Sequence, residues 1–159
     1  MMGALDLLRC AKPAPNSNHS PLFLMFLTHL DCLNLAHWLH NTVSEDGLSP
    51  VCFAIVDTAG DLLWFERMDH APAQSISLAI AKAYSAARLG IPTVEFQAQL
   101  QKDQLSISHY LDQKLTVVPG GSPLFNPSQR LIGAIGISGI NSHTDQALAD
   151  AVAMYFQSM

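Results

Sequence analysis

Three glycines, Gly133, Gly136 and Gly139, recur at every third position of the segment QRLIGAIGISG (residues 129–139), which otherwise has the apolar, β-branched character of a buried strand. A dinucleotide-binding loop requires G-x-G-x-x-G, and a P-loop requires G-x-x-x-x-G-K followed by Ser or Thr; neither pattern occurs in this segment. Glycine inside a strand instead leaves room for another backbone to come close. The spacing therefore favours close packing over a phosphate-binding loop.

The segment SISLAIAKAYSAARLG (residues 75–90) supplies a packing partner with equally small side chains. Its apolar residues fall on one helical face: Ile76, Ala79, Ile80, Ala83, Ala86 and Ala87. Gly90 provides a C-terminal stop, and Pro92 prevents the helix from continuing. Because small side chains allow close approach, we predict an inner helix that packs directly against the glycine-bearing strand.

Short apolar segments flanked by turn residues have the pattern of β-strands. They comprise residues 51–57, 62–68, 115–118, 122–125 and 129–138. The first two are joined by TAGD, whose Gly60 suits a tight hairpin turn. PGG and NPSQ, both with turn chemistry, separate the remaining three. Hairpin connections require antiparallel pairing, so the chain is predicted to contain an antiparallel sheet.

Helical patterns precede, separate and follow these strands. Apolar residues recur at helical spacing over residues 23–45, and Thr93 is placed to cap a second short helix after the alanine-rich one. Ser142 and Asp145 form an S-x-x-D capping signal at the start of a C-terminal helix. The order α, β-β, α-α, β-β-β, α predicts an α+β fold with helices on the faces of the sheet.

The length of 159 residues and the 49% apolar content suit one domain. Proline, serine and asparagine in KPAPNSNHSP predict that residues 1–21 form an irregular N-terminal arm and that residues 22–159 form a single domain. Eight basic and 13 acidic side chains lack the basic footprint of a nucleic-acid partner. Only 13% of the residues are charged. We therefore expect apolar surface that a second copy covers, in a homodimer or larger homo-oligomer.

The apolar stretch of residues 21–39 resembles a membrane span, but His29, Asp31, Asn34 and His37 interrupt it, so no span is predicted. The same stretch is a poor signal peptide because no small-x-small cleavage site follows convincingly. Three cysteines without C-x-x-C spacing indicate reduced thiols, as in the cytoplasm. The expected location is cytoplasmic, and export by an atypical N-terminal segment stays open.

Four blocks in order along the chain resemble the successive signature segments of the GlcG/HbpS family, which includes the C-terminal domain of PduO-type proteins. The blocks are FAIVDTAGDLLWFERMDHAP, SISLAIAKAYSAA, PGGSPLF and LIGAIGISGINSHTDQALADAVA. The resemblance covers residues 50–156. It implies a profilin-like three-layer α/β/α fold with a five-stranded antiparallel sheet, usually assembled as dimers or larger oligomers. It also implies haem binding, which is a property of some members.

A haem- or tetrapyrrole-binding accessory protein without catalysis is the first functional hypothesis. Seven histidines are present, and imidazole is a common axial ligand of haem iron. His37 and His40 lie three residues apart on the predicted first helix, and His37 is the candidate axial ligand. A surface or packed histidine is the structural alternative, since two histidines without a third ligand are a weak metal signal.

A small-molecule enzyme, an isomerase, lyase or hydrolase, is the second hypothesis. A buried Lys82 with a lowered pKa acts in it as a base, while Arg67 and the Gly120–Gly121 turn bind an anionic substrate. Ser138, which matches a family position, is a further ligand-binding candidate, although it lacks the G-x-S-x-G setting of a hydrolase nucleophile. The structural alternatives are a Lys82–carboxylate pair, an Arg67–Asp69 pair and a plain glycine turn.

Overall fold

The computed structural model describes residues 25–159, and the predicted arm of residues 1–21 lies outside this part of the chain. The elements are α1 (His29–Glu45), β1 (Cys52–Val56), β2 (Leu62–Arg67), α2 (Ser75–Leu89), α3 (Thr93–Asp103), a short 3₁₀ helix (Ile107–Tyr110), β3 (Gly121–Phe125), β4 (Leu131–Ser138) and α4 (Ser142–Ser158). The α+β class predicted from the sequence is confirmed. Within residues 25–159, no helix combines the length and hydropathy needed to cross a membrane.

The strands form one antiparallel sheet in the order β2-β1-β4-β3. Side chains alternate between its faces: Phe53 and Ile55 of β1 join α1 and α4 in one core, whereas Ala54 and Val56 join α2 in another. Because helices cover both faces, the central strand β1 is buried along its whole length. The result is a three-layer arrangement of helices, sheet and helices.

The sheet has four strands among the described residues, not the five that the resemblance implied. Residues 115–118 were predicted to be a strand but form none. Two of their backbone donors bond to side-chain hydroxyls instead of a neighbouring strand: Thr116 N–H donates to Ser85 Oγ at 2.8 Å, and Val118 N–H donates to Thr116 Oγ1 at 3.2 Å. Pro119, which follows, has no N–H for a ladder. The closer likeness to profilin stays a prediction.

The predicted packing of glycine against the alanine-rich helix is confirmed at Gly136. A Cβ atom at this position would collide with the backbone of Ala79 and Ala83 in α2. Its partner across the β3–β4 ladder, Gly121, would likewise meet the backbone of Lys82. Two adjacent glycines thus let α2 lie directly on the sheet. Gly139 instead makes room for residues 50 and 51.

The helix starts differ from the predicted ones in detail. Thr28 caps α1 through a capping box with Asp31, so this helix begins at His29 rather than near residue 23. Asn141, not Ser142, caps α4, because its side chain accepts from Thr144 N–H at 2.9 Å. Thr93 is the first residue of α3, and its hydroxyl makes no capping bond. Thr93 and Asp145 are therefore available for bonds to other elements.

Candidate functional site

Lys82 projects from α2 to the end of β4 and is completely buried. Its ammonium donates to Asp145 Oδ2 at 2.9 Å and to the carbonyl oxygen of Ile137 at 2.8 Å. Burial lowers the pKa of Lys82 below its usual value, and the hydrogen bond and charge of Asp145 oppose this shift. The geometry corresponds to the structural alternative, a lysine paired with a carboxylate.

Asp145 accepts hydrogen bonds from two other parts of the fold, which its position in the sequence did not indicate. Besides Lys82, it accepts the N–H of Ile140 on Oδ1 at 3.1 Å. The sequence indicated for Asp145 only a part in the S-x-x-D capping signal with Ser142. Instead, it joins α2 and the β4–α4 turn to the first turn of α4, and both of its oxygens are occupied.

The Gly120–Gly121 turn directs its amides into the protein rather than toward a ligand. Gly120 N–H donates to Gln146 Oε1 at 2.7 Å, and Gly121 N–H donates to Thr93 Oγ1 at 2.9 Å. Gln146 Nε2 in turn donates to Asp150 Oδ1 at 2.8 Å. Sequence reasoning missed Gln146, because a glutamine within a helix ordinarily indicates an exposed face. The two amides are therefore not available to bind an anionic substrate.

Among the described residues, neither Arg67 nor Ser138 makes a hydrogen bond to Lys82 or Asp145. The Arg67 guanidinium donates to the carbonyl oxygen of Ala71 from Nε at 3.0 Å and from Nη2 at 2.7 Å, instead of pairing with Asp69. Ser138 is buried in β4 opposite Cys52 of β1. Arg67 lies on the edge strand β2, which β1 separates from β4. The enzyme hypothesis thus lacks a converging set of free polar groups among these residues.

A surface depression of about 330 Å³ lies beside the Gln146 network. Its lining includes His143, Gln146 and Asp150 but neither Lys82 nor Arg67. The residues proposed for catalysis are thus separate from this depression.

Two histidines of α1 contact the edge strand β2. His40 Nε2 lies 2.5 Å from Glu66 Oε1, and Trp64 Nε1 donates to Glu66 Oε2 at 3.4 Å. The ring of His29 lies 5.5 Å from that of Trp64. His40 is therefore engaged with a carboxylate and is not paired with His37 toward a common ligand.

His37 is exposed on the outside of α1. Its Nε2 lies 3.2 Å from Asn41 Nδ2, one turn further along the helix. Leu33 and Leu30, one and two turns before it, are 42% and 57% exposed. We call Leu30, Leu33 and His37 the outer face of α1. It combines apolar surface with an accessible imidazole. Within residues 25–159, no cluster of three or more metal-ligating side chains occurs.

The fold and these residues define a small three-layer α+β domain with an open, histidine-bearing helix face. The family model described as "Haem degrading protein HbpS-like" matches residues 27–154. The chain therefore belongs to the HbpS-like family, as the signature blocks predicted.

Individual relatives agree with this assignment. The chain is 31% identical over 112 residues to an uncharacterised 15.0 kDa protein from the dhaT–dhaS intergenic region of Citrobacter freundii; the match covers 69% of this chain and 78% of that one. The structure of Klebsiella pneumoniae ORFY is similar with a TM-score of 0.77 and 26% identity, over 92% of this chain and 99% of that one. A PduOC:heme complex is similar with a TM-score of 0.71 and 26% identity, over 82% and 94% of the two chains.

Proposed function

We propose that this protein is a haem- or tetrapyrrole-binding accessory protein that holds the macrocycle without transforming it. The family assignment and the similarity to a haem-bound structure support this role. The observation that carries the proposal in this chain is the outer face of α1, where exposed Leu30 and Leu33 lie beside the accessible imidazole of His37.

The residues of this face fit the chemistry of a macrocycle. Haem, when bound, supplies an iron centre that takes an imidazole nitrogen as an axial ligand. His37 offers such a nitrogen once its 3.2 Å contact with Asn41 gives way, and Leu30 and Leu33 offer apolar surface to the flat ring. The sequence of α1 contains no Lys or Arg. The acidic groups of the macrocycle are therefore expected to point toward solvent.

A non-catalytic role is favoured by the state of the proposed catalytic groups. Lys82 is held by Asp145 and Ile137, and the amides of Gly120 and Gly121 bond inside the protein. A general base must reach the proton that it removes, and a fully buried ammonium in an ion pair does not. These contacts give Lys82, Gly120 and Gly121 structural roles and require no catalytic role for them.

We further infer that the protein acts as a homo-oligomer in the cytoplasm. The low fraction of charged residues and the exposed apolar side chains support self-association. Cys32 and Cys52 are free, buried thiols, as is usual for proteins kept in a reducing compartment.

Haemin titration of the purified protein, followed by the Soret band, tests the proposal. Saturable binding of one haem per chain is expected, with at least about tenfold weaker affinity in His37→Ala. His40→Ala is the matched control, because His40 lies on the same helix but is engaged with Glu66, and it should bind like the wild type. A featureless titration would overturn the proposal. Loss of binding in His40→Ala alone would refute His37 as the ligand.

The accessory role is separated from haem degradation by incubating the loaded protein with a reductant under oxygen. A stable Soret band supports an accessory role. Decay of the band with release of iron would show that the protein degrades haem and would refute the non-catalytic part of the proposal.

A further inference from the structure

The depression of about 330 Å³ beside the Gln146 network is lined by three parts of the fold: α4, the first turn of α3 and the residue before the glycine turn. Its apolar surface comes from Val94, Pro119 and Ala147. Its polar lining belongs to α4 and consists of Ser142, His143, Gln146 and Asp150. Small-molecule pockets typically measure about 300–1,000 Å³, so this volume suits a molecule of only a few carbon atoms.

Asp150 is held in position by buried groups. Its Oδ1 accepts hydrogen bonds from the Ser122 hydroxyl and from Gln146 Nε2. Ser122 and Gln146 are 2% and 6% exposed, and Gln146 is fixed in turn by the N–H of Gly120. Two fixed donors on one oxygen orient the carboxylate before any ligand arrives, which lowers the entropic cost of binding.

The second oxygen of Asp150, Oδ2, accepts no hydrogen bond from any residue in the described part of the chain. Among the described residues that line the depression, none is Lys or Arg. The ammonium of Lys82, which also reaches α4, bonds to Asp145 instead. Asp150 therefore offers a free acceptor and a negative charge that no lysine or arginine of residues 25–159 neutralises by direct contact.

A second depression, of about 440 Å³, contains a carboxylate in the opposite state. Asp112 lines it, and its two oxygens accept from Lys114 N–H at 3.0 Å and from the Tyr84 hydroxyl at 2.9 Å. These hydrogen bonds lower the pKa of Asp112, and the positive charges of Arg88 and Lys114 add to the effect. Asp112 is thus satisfied within the protein, whereas Asp150 keeps one oxygen for a ligand.

We propose that the depression at Asp150 binds a small organic amine. The cationic amino group bonds to Asp150 Oδ2, because hydrogen bonds between an ammonium and a carboxylate are among the strongest in proteins. The short hydrocarbon part of the amine lies on Val94, Pro119 and Ala147. His143 lines the other end of the α4 wall, two helical turns or about 10 Å from Asp150, and this distance limits the length of the ligand.

Titration of the haem-free protein, followed by ¹H–¹⁵N NMR, compares propylammonium, 1-propanol and propionate, which have the same chain length. Propylammonium should shift the signals of Gln146, Ala147 and Asp150 saturably, with a dissociation constant on the order of a few mM. The neutral 1-propanol should bind at least about tenfold more weakly, and propionate should not bind. Equal responses to propylammonium and 1-propanol, or saturable binding of propionate, would overturn the proposal.

The variant Asp150→Asn tests the assignment of the carboxylate. Asparagine keeps an acceptor for Ser122 and Gln146 but removes the negative charge. Asp150→Asn should weaken propylammonium binding at least about tenfold, whereas the matched control Asp112→Asn, in the second depression, should leave it unchanged. Binding by Asp150→Asn with the wild-type affinity would refute the assignment.

The fold of Asp150→Asn is checked by the NMR signals of residues outside the depression, which should stay at their wild-type positions. If this variant does not fold, the comparison of the propylammonium, 1-propanol and propionate titrations in the wild type decides the proposal. None of these measurements involves haem, so this inference and the proposed function fail separately.

Discussion

Replacing Lys82 with methionine is expected to destabilise the fold strongly, because it leaves a carboxylate buried without its cationic partner. The ammonium has no solvent exposure and bonds to Asp145 and to the Ile137 carbonyl oxygen. Removing one member of a buried pair typically costs about 3–5 kcal/mol of unfolding free energy. In a chain of this length that corresponds to a fall in melting temperature of roughly 10 °C. Chemical denaturation and calorimetry measure both quantities.

The double variant that combines Lys82→Met with Asp145→Asn separates the ion pair from simple packing. Asparagine retains an acceptor for the N–H of Ile140 but no longer carries a charge. When it is added to Lys82→Met, Asp145→Asn should therefore restore at least about 1 kcal/mol, although it destabilises the wild type. Strict additivity of the two substitutions, or a loss below about 1 kcal/mol for Lys82→Met, would refute the reasoning.

Three further predictions concern the packing and the thiols. Gly136→Ala should destabilise the protein by about 3 kcal/mol in denaturant titrations, because the added methyl group meets the backbone of α2. Gly47→Ala, in open space, should cost only about 1 kcal/mol, and equal losses in the two variants would contradict this packing. Gln146→Leu should lower stability by roughly 1–3 kcal/mol, since the buried Gly120 N–H loses its acceptor, and an unchanged denaturation midpoint would argue against that bond. Burial raises the pKa of Cys32 to about 11, so its thiol should react with an alkylating reagent at pH 8 only after the protein unfolds. Mass spectrometry maps the modified cysteines, and rapid modification of Cys32 in the native protein would contradict its burial.

The packing of α2 could be predicted because its signal is local in the sequence. Glycines in a strand and alanines on one helix face are small whatever the fold, so their spacing indicates close approach directly. Gly136 under Ala79 and Ala83 confirms this reasoning. The hairpin around Gly60 was predicted for a similar reason, since the tight turn places that glycine at a φ of +90°.

Contacts between distant residues could not be predicted in the same way. Lys82 and Asp145 are 63 residues apart, and neither position reveals the other without the fold. The strand predicted at residues 115–118 was wrong. The apolar run indicated strand propensity, but the backbone N–H of Thr116 donates to the hydroxyl of Ser85, which is far away in the sequence. The contact between His40 and Glu66 could not be predicted either, because Glu66 lies in strand β2 and His40 in helix α1.

The site of haem binding is tested most directly by the NMR spectrum of ¹⁵N-labelled protein loaded with ferric haemin, compared with a diamagnetic zinc protoporphyrin control. The paramagnetic iron broadens signals of nearby amides. The account predicts broadening at Leu30, Leu33 and His37 and unchanged signals at Lys82. Broadening centred on the depression at His143, with the outer face of α1 unaffected, would contradict it.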